Sequence, residues 1–198
     1  QLAHASATGD IAIIVDIKNA FQNTFAKPDR RVVVTCPPLY LEWLKQEENF
    51  QYDHKTKYYR VMMNANQGTK DAGHQWNQLV HSSLVKFGMN RCTVDHGFYV
   101  KQYNNETKMM LSLATDDLLC TFPTDEKAEE FCEFMRKFFE ISIQKGKVLK
   151  FVGLRIIQTD NGITIDQGEY IFDALSRYFG TNIEKVNWKG LNNNCFEI

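Results

Sequence analysis

The sequence has no apolar run approaching the roughly 20 residues needed to cross a bilayer. Its first residues, Gln1-Leu2-Ala3-His4-Ala5-Ser6, show no basic-then-apolar leader pattern. No membrane partner is expected. Neither sign of charge dominates: 23 Lys and Arg stand against 24 Asp and Glu, giving a net charge of −1 and a pI near 6.6. Nucleic-acid binding, if present, must then rest on a local patch. The five cysteines (36, 92, 120, 132 and 195) are odd in number and lack C-x-x-C or Cys/His metal spacing. They read as reduced thiols of an intracellular protein, mostly core fillers. His74, His81 and His96 also lack metal-ligand spacing. There is no internal repeat and no alternating βα period. There is no initiator methionine either, which is expected of a piece of a longer polypeptide.

What is present is apolar and aromatic. Of 198 residues, 43% are apolar and 13% aromatic, enough for one domain or one compact module with a lobe. The run Ile11-Ala12-Ile13-Ile14-Val15 predicts a buried strand ending at Asp16, followed by a turn and short helix over 17–25. Pro28-Asp29 marks a loop, and Arg31 to Thr35 a short strand stopped by Pro37-Pro38. A short helix is expected near 40–46 and a strand at 58–63. Ala72, Trp76, Leu79, Val80, Leu84 and Phe87 share one face of a helix over 70–87. Strands at 97–103 and 108–115 are joined by a turn at Asn104-Asn105, and a third follows at 118–122. Thr124 caps a helix with Asp125 and Glu126 in its first turn. A strand at 148–157, the turn Asp160-Asn161-Gly162, a strand at 162–166 and a helix at 168–179 complete the chain before Gly180. The tail around Asn192-Asn193-Asn194 looks disordered. This order of elements predicts an α+β fold with a mostly antiparallel sheet.

The chemistry gathers at Asp116-Asp117, two acids between two apolar runs. Unpaired buried carboxylates are costly, and adjacent ones repel. A divalent cation with oxygen ligands relieves both costs; a hairpin turn pointing its acids into water avoids them. Asp16 ends a second apolar strand. If the two strands are neighbours, three carboxylates converge at one sheet edge, as two Mg²⁺ ions about 4 Å apart require. Phe21, five residues on, suits either a ring that excludes a ribose 2′-OH or a core phenylalanine. Gln67-Gly68-Thr69-Lys70 precedes a helix N-terminus, which favours anions. The cluster Arg136, Lys137, Lys145, Lys147 and Lys150, opposed only by Glu140, either tracks a nucleic-acid backbone or is a solvated face.

A resemblance runs through these residues. Val15-Asp16-Ile17-Lys18-Asn19-Ala20-Phe21 resembles the D-V-K-x-A-F stretch of copia-type (Pseudoviridae) retrotransposon reverse transcriptases. Pro37-Pro38-Leu39-Tyr40 resembles their P-P-G-Y/F, and Gln67 to Trp76 their Y-G-L-K-Q-A-P-R-x-W. Phe87-Gly88-Met89 and Asp95 to Val100 resemble G-F … D-x-x-L-F. Asp116-Asp117-Leu118-Leu119 is similar to Y-V-D-D-I/L-L, Lys150 to Ile156 to K-Y-F-L-G-I-E-I, and Ile163 to Tyr170 to G-I-x-L-S-Q-x-x-Y. The motifs keep the family's order over about residues 10–180. The chain departs from the pattern at Ala114-Thr115, Leu39 and Gly73-His74.

The resemblance implies a right-hand polymerase: a palm with helices on one face of its sheet, and an incomplete fingers lobe inserted after Asp16. Residues 1–27 would give the first palm strand and helix, 28–90 the lobe, 91–180 the palm with its hairpin and primer grip, and 181–198 a tail or the start of a thumb. Asp16, Asp116 and Asp117, with the Ile17 carbonyl, would hold two Mg²⁺ (or Mn²⁺) ions. Lys18, Asn19, Ala20, Phe21, Gln67 and Gly68 would meet the nucleotide, Phe21 as steric gate. Phe151, Val152, Gly153 and Leu154 would form the primer grip, and Lys70, Lys145, Lys147 and Lys150 would meet the backbone. The implied activity is RNA-directed DNA polymerase. Its partners would be a primed RNA or DNA template, deoxynucleoside triphosphates, and the integrase and RNase H of the same polyprotein. Its place would be the cytoplasm, in a virus-like particle, or the nucleus. The alternative is an inactive polymerase-like fragment that only binds nucleic acid or a partner.

Overall fold

The computed structural model describes residues 1–25, 32–48, 50–104 and 107–179. Expectations at Pro28-Asp29, Arg31, Asn105, Gly180, Cys195 and the tail fall outside these. The elements in chain order are α1 (Leu2–Thr8), β1 (Ile11–Ile17), a 3-10 turn (Ala20–Asn23), β2 (Val33–Thr35), α2 (Pro38–Glu47), β3 (Tyr59–Val61), α3 (Ala72–Lys86) and β4 (Asn90–Arg91). Then come β5 (Phe98–Gln102), β6 (Lys108–Ala114), β7 (Asp117–Phe122), α4 (Asp125–Arg136), β8 (Ile141–Gln144), β9 (Val148–Phe151), β10 (Leu154–Thr159), β11 (Gly162–Asp166) and α5 (Gly168–Phe179). No described helix is long and apolar enough to cross a membrane.

The fold is α+β, and every strand pair is antiparallel. The main sheet has the order β4-β5-β6-β7-β1-β8, and a second sheet has β11-β10-β9. β1 is buried on both faces because its apolar run has no polar alternation. Successive side chains of a strand point to opposite faces, and β1 divides accordingly. Ile13, Val15 and Ile17 join the main core, whereas Ala12 and Ile14 join a second cluster with Leu119, Leu149 and Ile156.

The helices α3 and α4 cover the first face. Trp76, Val80 and Leu84 come from α3, and Ala128, Phe131, Cys132 and Met135 from α4. The Thr124 hydroxyl accepts from the Lys127 N–H and caps α4, as its sequence predicts. The second face carries not open solvent but the three-stranded sheet, with Leu2 of α1. The Gln158 side chain joins the two sheets. Beyond the last β1–β8 pair at Ile14, the Gln158 amide takes the place of a backbone rung. Its oxygen accepts from Ala12 N–H at 2.8 Å, and its nitrogen donates to the Ala12 and Gly146 carbonyls at 2.9 Å each.

One expectation needs correction. The single strand at 148–157 is two, β9 and β10, reversed by Val152-Gly153 with both residues at positive φ (48° and 78°). β8, β4 and α1 have no counterpart in the sequence reading. α3 lies within the 28–90 stretch, yet it packs into the main core; a separate small core there is built on Cys36, Leu41 and Leu44.

Candidate active site

β1 and β7 pair so that Asp16 stands directly opposite Asp117. Like charges placed so oppose pairing, and the register holds through the apolar pairs behind them, Val15 with Leu118 and Ile13 with Cys120. On the other side of β1, Ser142 of β8 faces Asp16, and its hydroxyl donates to Asp16 Oδ2 at 3.0 Å. Burial first, and then the charges of Asp116 and Asp16, hold the Asp117 carboxyl above its ordinary range.

Asp116 lies at the tip. Ala114 pairs with Asp117, leaving Thr115 and Asp116 as a two-residue hairpin loop. Thr115 has φ +57°, whereas Asp116 does not share the positive sign. That pattern belongs to a turn that prefers glycine at its first position, and a β-branched residue there costs about 1–2 kcal/mol. Two hydrogen bonds hold the loop. The Trp76 indole N–H donates to the Thr115 carbonyl at 2.5 Å, and the Ile17 N–H donates to the Asp116 carbonyl at 2.9 Å.

After β1 the chain turns at Asn19, φ +54°, into the 3-10 turn. The Asn23 amide donates to the Lys18 and Asn19 carbonyls and fixes this bend. The loop before α3 is tied to it: Asn64 Nδ2 donates to the Gln22 carbonyl, and Ala65 N–H to Thr24. Between the two segments opens a cavity of about 300 Å³, lined by Asn19, Ala20, Phe21, Gln22, Asn66, Gln67 and Asp116. Phe21 lines this cavity and packs against the main core.

Other expected site residues stand apart. Gly68 (φ +86°) is exposed beyond the cavity lining. Lys18 pairs with Glu140 at 2.6 Å; that hydrogen bond first, then the Glu140 charge, raises its pKa, with Asp16 adding to the shift. Phe151 packs on the second cluster, the face of β1 that Asp16 shares with Ala12 and Ile14, while Val152 at the turn is 63% exposed. The basic cluster is less free than its sequence suggests. Glu129 of α4 pairs with Arg136 (2.8 Å) and Lys145 (3.5 Å), Glu169 of α5 pairs with Lys150 (2.5 Å), and Glu140 turns to Lys18. Lys70 and Lys147 have no ion-pair partner among the described residues. Lys145 and Lys147 border a cavity of about 470 Å³ that also takes in Asp10, Asp125 and Asp160.

The donor set suits a hard divalent cation: carboxylates at one sheet edge, with a charge excess that adds to burial in raising the Asp117 pKa. The spacing is looser than the sequence implies. Among the described residues, no three His, Cys, Asp or Glu side chains are close enough to hold one ion between them. The division follows from the backbone: Asp117 faces Asp16 across the ladder, while Asp116 turns onto the cavity. Mg²⁺ commonly takes one or two carboxylates and completes its shell with water and substrate phosphates, so this set fits that ion. Ser142, Asn66 and Gln22 are site neighbours that the sequence reading missed. The alternation Ile141-Ser142-Ile143 was a signal for β8; the other two had none.

A family model described as reverse transcriptase (RNA-dependent DNA polymerase) matches residues 2–188. A transposon Ty5-1 protein of Saccharomyces cerevisiae is 29% identical over 135 residues, covering 68% of this chain and 43% of its own length. The chain thus spans less than half of that relative. Among solved structures, apo telomerase from Candida tropicalis, truncated from its C-terminal domain, aligns over 79% of this chain and 36% of its own. Its TM-score is 0.44 at 11% identity. Telomerase from Candida albicans in complex with the TWJ fragment of telomeric RNA aligns over 89% and 37%, with a TM-score of 0.42 at 9% identity.

Proposed function

The chain belongs to the reverse transcriptase (RNA-dependent DNA polymerase) family, and from that premise we propose that the Asp16, Asp116 and Asp117 edge is the nucleotidyl-transfer centre of a retrotransposon module. The cavity that joins Phe21 and Gln67 to Asp116 carries this reading. Its volume of about 300 Å³ lies at the lower end of small-molecule sites, roughly 300–1,000 Å³. A deoxynucleoside triphosphate would enter it with its sugar over Phe21, whose ring would exclude a 2′-OH. Gln67 and Asn66 would orient the nucleotide from the facing loop.

In the reaction a primer 3′-oxygen attacks the α-phosphorus, the bond to pyrophosphate breaks, and the hydroxyl proton passes to solvent. Asp16, Asp116, Asp117 and the Ile17 carbonyl would hold Mg²⁺, which supplies charge neutralisation at the attacking and leaving oxygens. Asp16 is held in place by Ser142, and Asp116 by the two backbone contacts of its loop. In this reading residues 1–27 and 91–180 form a palm and 28–90 an incomplete fingers lobe. The β9–β10 turn grips the primer, and Lys70 and Lys147 meet the backbone. A primed template and, within a longer polyprotein, RNase H and integrase are the partners, in a cytoplasmic particle or the nucleus.

A second reading, a polymerase-like module that binds nucleic acid without catalysis, is favoured by the looser carboxylate spacing and the unusual Thr115. Primer extension on RNA and DNA templates with Mg²⁺ separates the two. The chain should extend the primer, and Asp116→Asn or Asp117→Asn should abolish extension; incorporation in either variant sinks the metal assignment. Phe21→Ala should weaken discrimination against ribonucleotides by roughly tenfold; an unchanged ratio sinks the gate. Duplex binding without extension by the unaltered chain establishes the second reading instead.

A further inference from the structure

Trp76 sits in the first turns of α3 with its ring 2% exposed, edge-on to Phe139 at 5.6 Å. Its N–H leaves this apolar setting to donate to the Thr115 carbonyl at 2.5 Å, 39 residues away. Thr115 is the strained residue of the hairpin loop, and the next residue is Asp116. The Asp116 carbonyl accepts in turn from Ile17 N–H at 2.9 Å. The loop is therefore gripped from the helix side by Trp76 and from the strand side by β1. Relaxing the positive φ means rotation about the Thr115 N–Cα bond, which would swing the Thr115 carbonyl away from the indole.

We propose that Trp76 is a positioning residue whose indole N–H locks this loop in the conformation that directs Asp116 onto the nucleotide cavity and Asp117 toward Asp16. This rests on the reading of that edge as the nucleotidyl-transfer centre. The plain alternative is a core tryptophan satisfied by the nearest carbonyl. In that case its loss lowers stability, and activity falls only with the folded fraction.

Trp76→Phe keeps an aromatic ring and removes the N–H. The kcat for incorporation per folded molecule should fall about tenfold or more, the effect of one lost hydrogen bond. The KM for the deoxynucleotide should stay within about twofold, since the cavity wall is untouched. Thr115→Gly accepts the positive φ without strain. In that background the same Trp76 substitution should cost less than about threefold, because the lock is no longer needed. Amide hydrogen exchange at Ile17 N–H should quicken about tenfold in Trp76→Phe and far less in the double variant. If Trp76→Phe does not fold, benzothienylalanine at 76, with sulfur in place of N–H, takes its place. An unchanged kcat, an equal penalty in both backgrounds, or unchanged Ile17 exchange overturns the proposal. If the unaltered chain extends no primer, the functional reading fails, and the exchange measurements alone decide whether the lock exists.

Discussion

Asp117→Asn should stabilise the protein, while abolishing the primer extension proposed for it. Asp117 faces Asp16 across the β1–β7 ladder and follows Asp116 in the chain. Two unit charges about 6 Å apart repel by roughly 3 kcal/mol at an effective dielectric constant of about 20. Like-charged cross-strand pairs cost nearer 0.2–1 kcal/mol, and water reaches both side chains here. Neutralising Asp117 should then return about 1 kcal/mol at pH 7, or roughly 2–4 °C in Tm for a chain of this size. The pH dependence fixes the cause. The folded protein holds the Asp117 carboxyl above its ordinary range, chiefly by burial and then by Asp116 and Asp16. Its ionisation therefore costs stability in full above the folded pKa, and the cost disappears as pH falls below the unfolded value, about 3.9. The advantage of Asp117→Asn should be largest at pH 7 and shrink as pH is lowered toward about 4. Calorimetry of both proteins without divalent ions measures it. Adding Mg²⁺ should then raise the Tm of the unaltered protein more than that of the variant, because the cation relieves the same repulsion. A lower Tm for Asp117→Asn at pH 7, or a gain independent of pH, would refute the electrostatic account of this site.

Gln158→Leu removes three hydrogen bonds at the junction of the sheets and leaves both backbone groups of the buried Ala12 without that partner. Urea unfolding should show a loss of roughly 2–4 kcal/mol; a loss under about 0.5 kcal/mol would mean the amide is not a structural rung. Val152→Asn creates the Asn-Gly pair preferred where both loop residues have positive φ. It should raise Tm by roughly 2–4 °C, and a decrease in calorimetry would count against strain at that turn. The backbone N–H groups of Asp95 and then Val94 lower the Cys92 thiol pKa, whereas burial first raises those of Cys120 and Cys132. Iodoacetamide with mass spectrometry at pH near 8 should label Cys92 at least tenfold faster than either; equal rates would contradict the assigned environments.

Long periodic elements and paired acids were legible in the sequence. β1 announces itself because five consecutive apolar residues, four of them isoleucine or valine, favour a strand buried on both faces, and α4 because its cap, first-turn acids and apolar stripe agree. The β9–β10 turn was hidden because valine occupies a position that glycine or asparagine usually signals. The gathering of Asp16 and Asp117 at one sheet edge was legible, since each acid ends or begins an apolar run. Their partners were not. The Ser142 hydroxyl, Asn66 and the carbonyl bound by Trp76 reach the site through tertiary pairing between residues far apart in the chain. The counter-charges of the lysine cluster were hidden for the same reason: Glu129 and Glu169 arrive from two helices rather than from neighbouring sequence.

The central place of β1 also bears on how the protein is made. β1 is synthesised early, but its partner β7 follows roughly 100 residues later, and β8 later still. At 5–20 residues per second, that leaves Ile11 to Val15 without sheet neighbours for roughly 5–20 s on the ribosome. An uncharged, β-branched segment with both edges open is a template for pairing with another chain. The strand that gives the site its first carboxylate is thus the segment most in need of protection during synthesis. The ladder contact that brings Asp16 to Asp117 forms only once β7 has been made.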